Sequence, residues 1–281
     1  MDIKRPDPFL EVRISEMKQY PTLLTLCAGY ESGKWRANQF AEHLIEWLPE
    51  FCLKYSEILG LGSHNAVRLL KSAATNVYST NKFEKRGEVG ELILHVVIRQ
   101  VFNTAPLVSK IFYKDSSNDT VKGFDSVHIV KNREIFELWL GEVKLYTDFN
   151  LATRDVCAEL KTHCVNDYLR KEFTAICNKL DDKHPYSKEV TSLLSKNTSL
   201  DKIFTHIVFP VLITYESNSV GCHTSICDEF IEKLKVETGE FFEYFKDKIP
   251  DVKPLVHLIT VPLGSKAELI TAFDKELGRL R

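Results

Sequence analysis

The sequence predicts an α/β fold in which a mixed sheet is flanked by helices, with a mostly helical attachment over residues 1–80 and a core over residues 81–281. Three observations lead there. From residue 82 onward, apolar runs of strand length alternate with stretches of helical periodicity, the pattern of strands and helices packed in layers. Two apolar runs, Gly123–Val130 and Ile135–Lys144, are separated by a turn short enough to make a hairpin. The longest apolar runs, such as Ile203–Tyr215, fall short of the roughly 20 residues a membrane helix needs, so sheet and helices must bury one another.

Taken in order, the attachment opens with two strand-like runs, Phe9–Ile14 and Thr22–Ala28, followed by amphipathic stretches at Trp35–Tyr55 and Asn65–Tyr78. Trp35, Phe40, Leu44, Trp47 and Leu48 recur near helical spacing, which reads as a core face rather than an aromatic binding stripe. No Gly/Ser linker follows, so the attachment is expected to pack on the core. Arg86–Phe102 is apolar at Val89, Leu92, Ile93, Val96, Val97 and Phe102, a helix buried on a broad face. A strand at Val108–Tyr113 precedes the hairpin, and a helix at Leu151–Leu180 follows it. The chain then reads as strand Phe204–Tyr215, helix Thr224–Lys248, strand Val256–Leu263 and a closing helix from Lys266. The tract Asp181–Asp201, with Pro185 and many Ser and Asn, reads as a surface loop.

Composition excludes several classes. With 44% hydrophobic and 27% charged residues the chain is an ordinary globular protein, neither fibrous nor disordered. Its first six residues lack the apolar region of a signal peptide, so a cytoplasmic location is expected. The seven cysteines include no Cys-x-x-Cys pair and form neither a disulfide framework nor a zinc module. Cys157, Cys164 and Cys177 are expected to pack on a helix, and Cys222, His223 and Cys227 match no standard zinc spacing. The 37 basic residues stand against 39 acidic ones, a net charge of −2, whereas a chain that grips DNA alone usually carries a basic patch. The clusters Lys82, Lys85, Arg86 and Arg170, Lys171 read as solvated helix faces. Gly29–Lys34 has its glycines four apart and ends in Trp35 rather than Ser or Thr, so it is no phosphate loop, and no nucleotide is expected to bind this chain itself.

The chemistry-bearing residues cluster at the hairpin. Residues two apart on a strand share a face, so Phe136, Leu138, Leu140, Glu142 and Lys144 line one face whose apolar part runs into two charges. A turn at Lys131–Glu134 pairs residue 130 with 135, which sets Asp125 opposite Leu140 and diagonal to Glu142. Diagonal neighbours lie roughly 7–8 Å apart, within reach of one shared cation. Glu-x-Lys also occurs at Glu16–Lys18 and Glu159–Lys161. The first has no hairpin Asp upstream, and in the second, which is helical, residues two apart point about 200° from one another. From the residues alone, Glu142 and Lys144 are equally consistent with a structural cross-strand salt bridge. Upstream, Glu88 and Glu91 sit in the first turns of the helix beside Gly87 and Gly90, each of which costs about 1 kcal/mol in a helix unless another backbone comes close. Glu88 fits a helix-dipole role, and Glu91 fits a carboxylate facing the hairpin.

The order helix with Gly87-x-x-x-Glu91, strand, strand with Asp125, strand with Glu142-x-Lys144, helix resembles the PD-(D/E)xK nuclease superfamily. More narrowly it resembles the HamA family, the nuclease subunits of Hachiman antiphage systems. Gly29-Tyr-Glu-Ser-Gly-Lys-Trp-Arg36, Arg86-Gly-Glu-Val-Gly-Glu91, Asn118-Asp-Thr-Val-Lys-Gly-Phe-Asp125 and Leu138-Trp-Leu-Gly-Glu-Val-Lys144 carry that likeness. Phe124 stands where the superfamily name has Pro, a frequent substitution that leaves the assignment of Asp125 in place. The resemblance implies a restriction-endonuclease-like core and a Mg²⁺- or Mn²⁺-dependent DNA nuclease with little sequence specificity. It implies Asp125, Glu142, the carbonyl of Val143 and Glu91 as metal-site residues, with Lys144 beside the attacking water. It also implies a HamB-like helicase partner. A catalytically silent nuclease-fold scaffold of a helicase complex, and a binding protein unrelated to nucleic acid, are the alternatives.

Overall fold

The computed structural model describes residues 4–78, 87–109, 123–131 and 136–280. A strand β1 (Glu11–Glu16) and a fully buried strand β2 (Thr22–Cys27) come first, then a small hairpin of β3 (Tyr30–Glu31) and β4 (Lys34–Trp35). The amphipathic stretch beyond it is divided into α1 (Ala37–Glu46) and α2 (Leu48–Cys52), with Pro49 in the first turn of α2, where its missing N–H does no harm. Helices α3 (Tyr55–Leu59), α4 (Ala66–Tyr78) and α5 (Gly87–Val101) lead to β5 (Ala105–Ser109). The hairpin strands are β6 (Ser126–Lys131) and β7 (Phe136–Leu145). Then come α6 (Phe149–His163), α7 (Asn166–Lys179), α8 (Ser187–Leu193), α9 (Leu200–Phe204), β8 (Ile207–Glu216), α10 (Asn218–Gly221), α11 (Asp228–Lys248), β9 (Leu255–Leu263) and α12 (Lys266–Gly278).

Seven strands form one mixed sheet in the order β1-β2-β9-β8-β7-β6-β5. The four central strands β2, β9, β8 and β7 are parallel, while β1, β6 and β5 pair antiparallel at the two sides. Parallel strands need helical crossovers and are covered on both faces, which is why β8 is buried at every residue but its last. Alternation sorts the strand residues between two cores. Trp139, Val143 and Leu145 of β7 pack with α1, α2, α4, α5 and α12, whereas Leu138 and Leu140 face α6, α7, α8, α9 and α11.

Several expectations change. The helix foreseen at Leu151–Leu180 is two helices, α6 and α7, broken at Cys164–Val165. The tract Asp181–Asp201 is not an open loop: it contains α8 and the start of α9, and its Val190 and Leu194 sit in the core together with Ile203 of α9. The hairpin pairs Lys131 with Phe136 and Ser126 with Gly141, two residues out of the expected register. A slip of two leaves every side chain on its expected face, so the face assignment stands while Asp125 moves from opposite Leu140 to opposite Glu142. Residues 1–80 contribute β1 and β2 to the same sheet as the hairpin. The turn residues beyond Lys131, the cluster Lys82, Lys85, Arg86, the phrase from Asn118 to Lys122 and the 110–113 part of the expected strand lie outside the described residues.

A buried polar chain fastens α2, α5, β6 and the start of β5 together. Arg99 of α5 donates through Nε to Glu50 Oε2 at 2.8 Å and through Nη2 to Glu50 Oε1 at 2.5 Å. His95 Nε2 lies 3.1 Å from the same carboxylate, His95 Nδ1 lies 3.2 Å from His128 Nε2, and His128 Nδ1 lies 2.8 Å from Thr104 Oγ1. One proton arrangement satisfies every atom: the Thr104 hydroxyl donates to His128, His128 to His95, and His95 to Glu50, with both imidazoles neutral. Burial pushes the pKa of His95 and of His128 down, as that arrangement requires. For Glu50, burial acts upward but the hydrogen bonds from His95 and Arg99 outweigh it, holding the carboxyl at about 2.

Groups whose pKa is lower folded than unfolded bind fewer protons in the fold, so their stabilisation is lost as pH falls. For the two histidines the loss begins near the ordinary value of 6.5 and grows below it; for Glu50 it begins near 4.5. We expect the calorimetric melting temperature to fall between about pH 7 and about pH 5, and to fall less in His128→Asn, which cannot titrate. Equal slopes for the two proteins would show that His128 is not held neutral.

Candidate active site

The carboxyl end of β7 forms the floor of a cleft of about 850 Å³ lined by Glu91, Asp125, Glu142, Lys144, Glu159, His163 and Lys266, among others. Crevices at the carboxyl ends of parallel strands are the usual ligand sites of such sheets. Asp125 extends the hairpin ladder by donating its N–H to Gly141 O at 2.8 Å, and its carboxylate accepts from Val143 N, also at 2.8 Å. Glu142 is 2% exposed and Asp125 8%. Glu91 lines the cleft from α5, whereas Glu88 does not. Asp125, Glu142, Lys144 and Glu91 therefore border one cavity.

Gly90 explains how α5 comes so close. A Cβ built there would lie 2.7 Å from Val143 Cγ1 and 3.1 Å from Leu145 Cβ, whereas at Gly87 it would meet nothing within 4 Å. The close approach inferred from the two glycines thus belongs to Gly90 alone.

Helix α6 supplies what the sequence reading missed. Asp148 caps it by accepting from Leu151 N at 2.6 Å, which fixes the helix start just past β7. Three rungs then join helix to strand. Tyr146 OH donates to Asp155 Oδ2 at 2.8 Å, Lys144 Nζ to Glu159 Oε2 at 2.5 Å, and His163 Nδ1 lies 2.5 Å from Glu142 Oε1. Along β7 and the residue that follows it these are two apart, on α6 four apart, and both steps advance by about 6–7 Å. That matching was available in the sequence as polar residues at 155, 159 and 163 beside 142, 144 and 146. Glu159–Lys161 contains no second Glu-x-Lys site, but Glu159 itself belongs to this one.

Burial raises the Glu142 pKa to about 7, with the Asp125 carboxylate adding to the shift and His163 opposing it. For His163, burial acts downward and the Glu142 contact overrides it, so its pKa is raised. The two atoms are close but poorly aligned, leaving Glu142 Oε1 and His163 Nδ1 without a directed hydrogen bond. His163 is stacked on Tyr168 at 4.5 Å and meets Phe124 edge-on at 5.0 Å.

The donors near the floor, two carboxylates and the Val143 carbonyl, are all oxygen, which suits a hard divalent cation. A buried carboxylate oxygen without an aligned donor fits the same reading. Among the described residues no three His, Cys, Asp or Glu side chains close into a metal shell. Elsewhere, Arg170 is engaged by the carbonyls of Ser195 and Thr198, and all seven cysteines are free thiols.

A model of the HamA family matches residues 6–277. The chain belongs to the HamA family. It is also similar to anti-bacteriophage protein A of Escherichia coli (strain K12), 24% identical over 262 residues that cover 88% of this chain and 46% of that protein. The chain thus spans about half the length of this curated relative. No helix among the described residues is long and apolar enough to cross a membrane.

The Gly90 contact has a direct test in urea denaturation. Replacing a helical glycine by Ala ordinarily stabilises by about 1 kcal/mol, but overpacking costs about 1–3 kcal/mol. Gly90→Ala should therefore be neutral to destabilising, and combining it with Val143→Ala should give a positive coupling in a double-mutant cycle. A gain of the full helix propensity by Gly90→Ala alone would show that α5 does not touch β7 there.

Proposed function

We propose that this chain is a metal-dependent DNA nuclease of the PD-(D/E)xK type and the effector of an antiphage defence complex with a helicase. The observation that carries the reading is the meeting of Asp125, Glu142, Lys144 and Glu91 in one cleft, with Glu142 buried at the end of an apolar strand face. Burying a carboxylate is costly unless a cation compensates it. Mg²⁺ or Mn²⁺, held by Asp125, Glu142 and the Val143 carbonyl, would neutralise phosphodiester charge and supply an acidified water. Glu91, which lines the same cleft, would serve as a further ligand or would orient that water. Lys144 places its ammonium where negative charge develops, a role suited to a compact donor. Glu159 holds the Lys144 head in place, and His163 fixes the Glu142 rotamer, as supporting groups around metal ligands do.

Family membership and the name of the bacterial relative support the defence role. A net charge of −2 supports dependence on a partner for DNA capture, because phosphate contacts dominate such affinity. The sequence has no phosphate loop with which to drive a motor, so ATP-driven movement falls to that partner. A scaffold without activity is the second reading, favoured by the ion pairs that already engage Lys144 and Glu142.

Plasmid cleavage by the chain in complex with its helicase partner, with ATP present throughout, distinguishes them. We expect cleavage with Mg²⁺, none with EDTA, and losses of about 10²–10³-fold in Asp125→Ala, Glu142→Ala and Lys144→Ala, with folding retained by circular dichroism. Glu159→Gln and His163→Ala should lose about 10–100-fold. Wild-type cleavage by both Glu142→Ala and Lys144→Ala would remove the site assignment.

The partner dependence is tested separately. The chain should copurify with a helicase, and degradation should require that partner's ATP hydrolysis. Free degradation and nanomolar DNA binding by the isolated chain in physiological salt would sink the gated complex while leaving the nuclease reading intact.

A further inference from the structure

On the nuclease reading, the cleft at the end of β7 is acidic for a site that must admit a phosphodiester. The carboxylates of Glu91, Asp125, Glu142, Asp148 and Glu159 line it, against the lysines Lys144 and Lys266. Asp125 and Glu142 fall to the proposed cation, and Asp148 caps α6. Glu159 already shares the Lys144 ammonium. Lys266 is different. Its ammonium donates to a backbone carbonyl, that of Leu145 at 2.7 Å, and makes no ion pair among the described residues.

The position of Lys266 is set by the backbone around it. Ser265 caps α12 by accepting from Glu268 N at 3.3 Å, and Lys266 N donates to Glu216 Oε1, at the end of β8, at 2.8 Å. The side chain therefore starts from the face of the sheet covered by α5 and α12 and crosses the strand ends to a carbonyl one residue past Lys144. Glu159 and His163 reach the same cleft from α6, on the opposite face.

Covering a strand-end carbonyl does not use up this group. An ammonium has three donors, and Leu145 takes one. Lys266 is half-buried; burial lowers its pKa, and the Glu216 carboxylate, which is turned to the Lys266 backbone, only partly opposes the shift. Withdrawing a charge from water without a counter-charge is costly, and a phosphate is a counter-charge that would relieve it. Leu145 is three residues beyond Glu142, about 10 Å along the strand at about 3.3 Å per residue. The ammonium is thus set to one side of the bond to be cleaved.

We propose that Lys266 holds a DNA backbone phosphate adjacent to the scissile one, as a substrate-positioning residue of the cleft. The proposal rests on the nuclease reading. Because the contact is to the backbone, it adds no base preference.

Fluorescence anisotropy of the full chain with a dye-labelled duplex of about 12 base pairs tests it, in EDTA to prevent cleavage and between about 20 and about 100 mM salt. Each phosphate contact contributes about 0.9 to the slope of log affinity against log salt. Lys266→Met keeps the stem and removes the charge. It should bind about fivefold to tenfold more weakly at the lowest salt, with the slope smaller by about 0.9, while Lys266→Arg retains the wild-type slope. Lys275→Met makes the same charge change farther along α12, outside the cleft, and should leave the slope unchanged. Loss of a merely structural bond to Leu145 would lower the melting temperature without moving the slope. The proposal is overturned if Lys266→Met keeps the wild-type slope, if Lys275→Met lowers it equally, or if the wild-type chain does not bind the duplex at about 20 mM salt. Cleavage by the helicase complex separates this from the nuclease reading. Lost cleavage in Glu142→Ala beside an unchanged slope in Lys266→Met overturns the Lys266 contact alone. A lowered slope beside wild-type cleavage by both Glu142→Ala and Lys144→Ala overturns the nuclease reading, and with it the placement next to a scissile bond.

Discussion

The commensurate step between β7 and α6 is the constraint on which the candidate site depends. Two residues along a strand and four along a helix both advance by about 6–7 Å, so a strand face and a helix stripe can meet in successive rungs. Here Tyr146, Lys144 and Glu142 meet Asp155, Glu159 and His163. The rungs run from a partly exposed end, at Tyr146, to the fully buried Glu142. Water is progressively excluded along that direction, and at the last rung the burial of the charged form raises the Glu142 carboxyl to about 7 against the opposing pull of His163. The Asp148 cap sets the phase of the helix; without that phase the rungs would not fall opposite one another.

The other helix at the site obeys a similar rule on the opposite face of the sheet. Glu91, His95 and Arg99 are four apart on α5 and form one polar stripe in a helix otherwise buried in the core. Its inner members are satisfied by Glu50, His128 and Thr104, so the stripe is fixed in rotation as well as in position. Gly90 fixes its distance from β7. Glu91 thus arrives at the cleft on a helix held at both ends, a more exact support than a loop would give.

Much of this was legible in the sequence, and the failures have physical causes. Glu142 and Lys144 stood out because an apolar strand face rarely ends in two charges without a partner, and Gly90 stood out because a helix pays a conformational cost for glycine. The register slipped because turn length, not face, was misjudged; since the side-chain period is two, the error left the chemistry where it was expected. Glu159 and His163 were passed over because polar residues on a helix normally face water. Only their spacing against 142 and 144 distinguishes them. Helices α8 and α9 were hidden by the many Ser and Asn around Val190, Leu194 and Ile203, residues too few to show a period. The parallel pairing of β2 with β9 joins residues such as Thr25 and Thr260, whose hydroxyls lie 2.8 Å apart, and no local pattern encodes a contact across that separation.

On the nuclease reading proposed above, the ion pairs of the cleft bear on how the site is restrained. Lys144 can stabilise charge on a phosphate only to the extent that Glu159 yields its share of the ammonium, and a cation at Glu142 must compete with His163 for the same oxygen. Each exchange is close to balanced, because the incoming charge replaces one of like sign at similar distance. The cost is then set by geometry. Glu159 is partly exposed, so water can compensate its carboxylate when Lys144 turns away. His163 is packed between Phe124 and Tyr168 and must shift as a ring within a filled space. On the reading proposed above, the metal end of the site resists assembly more than the lysine end. On that reading, a partner acting on α6 would have most leverage at its His163 end, next to the break at Cys164–Val165.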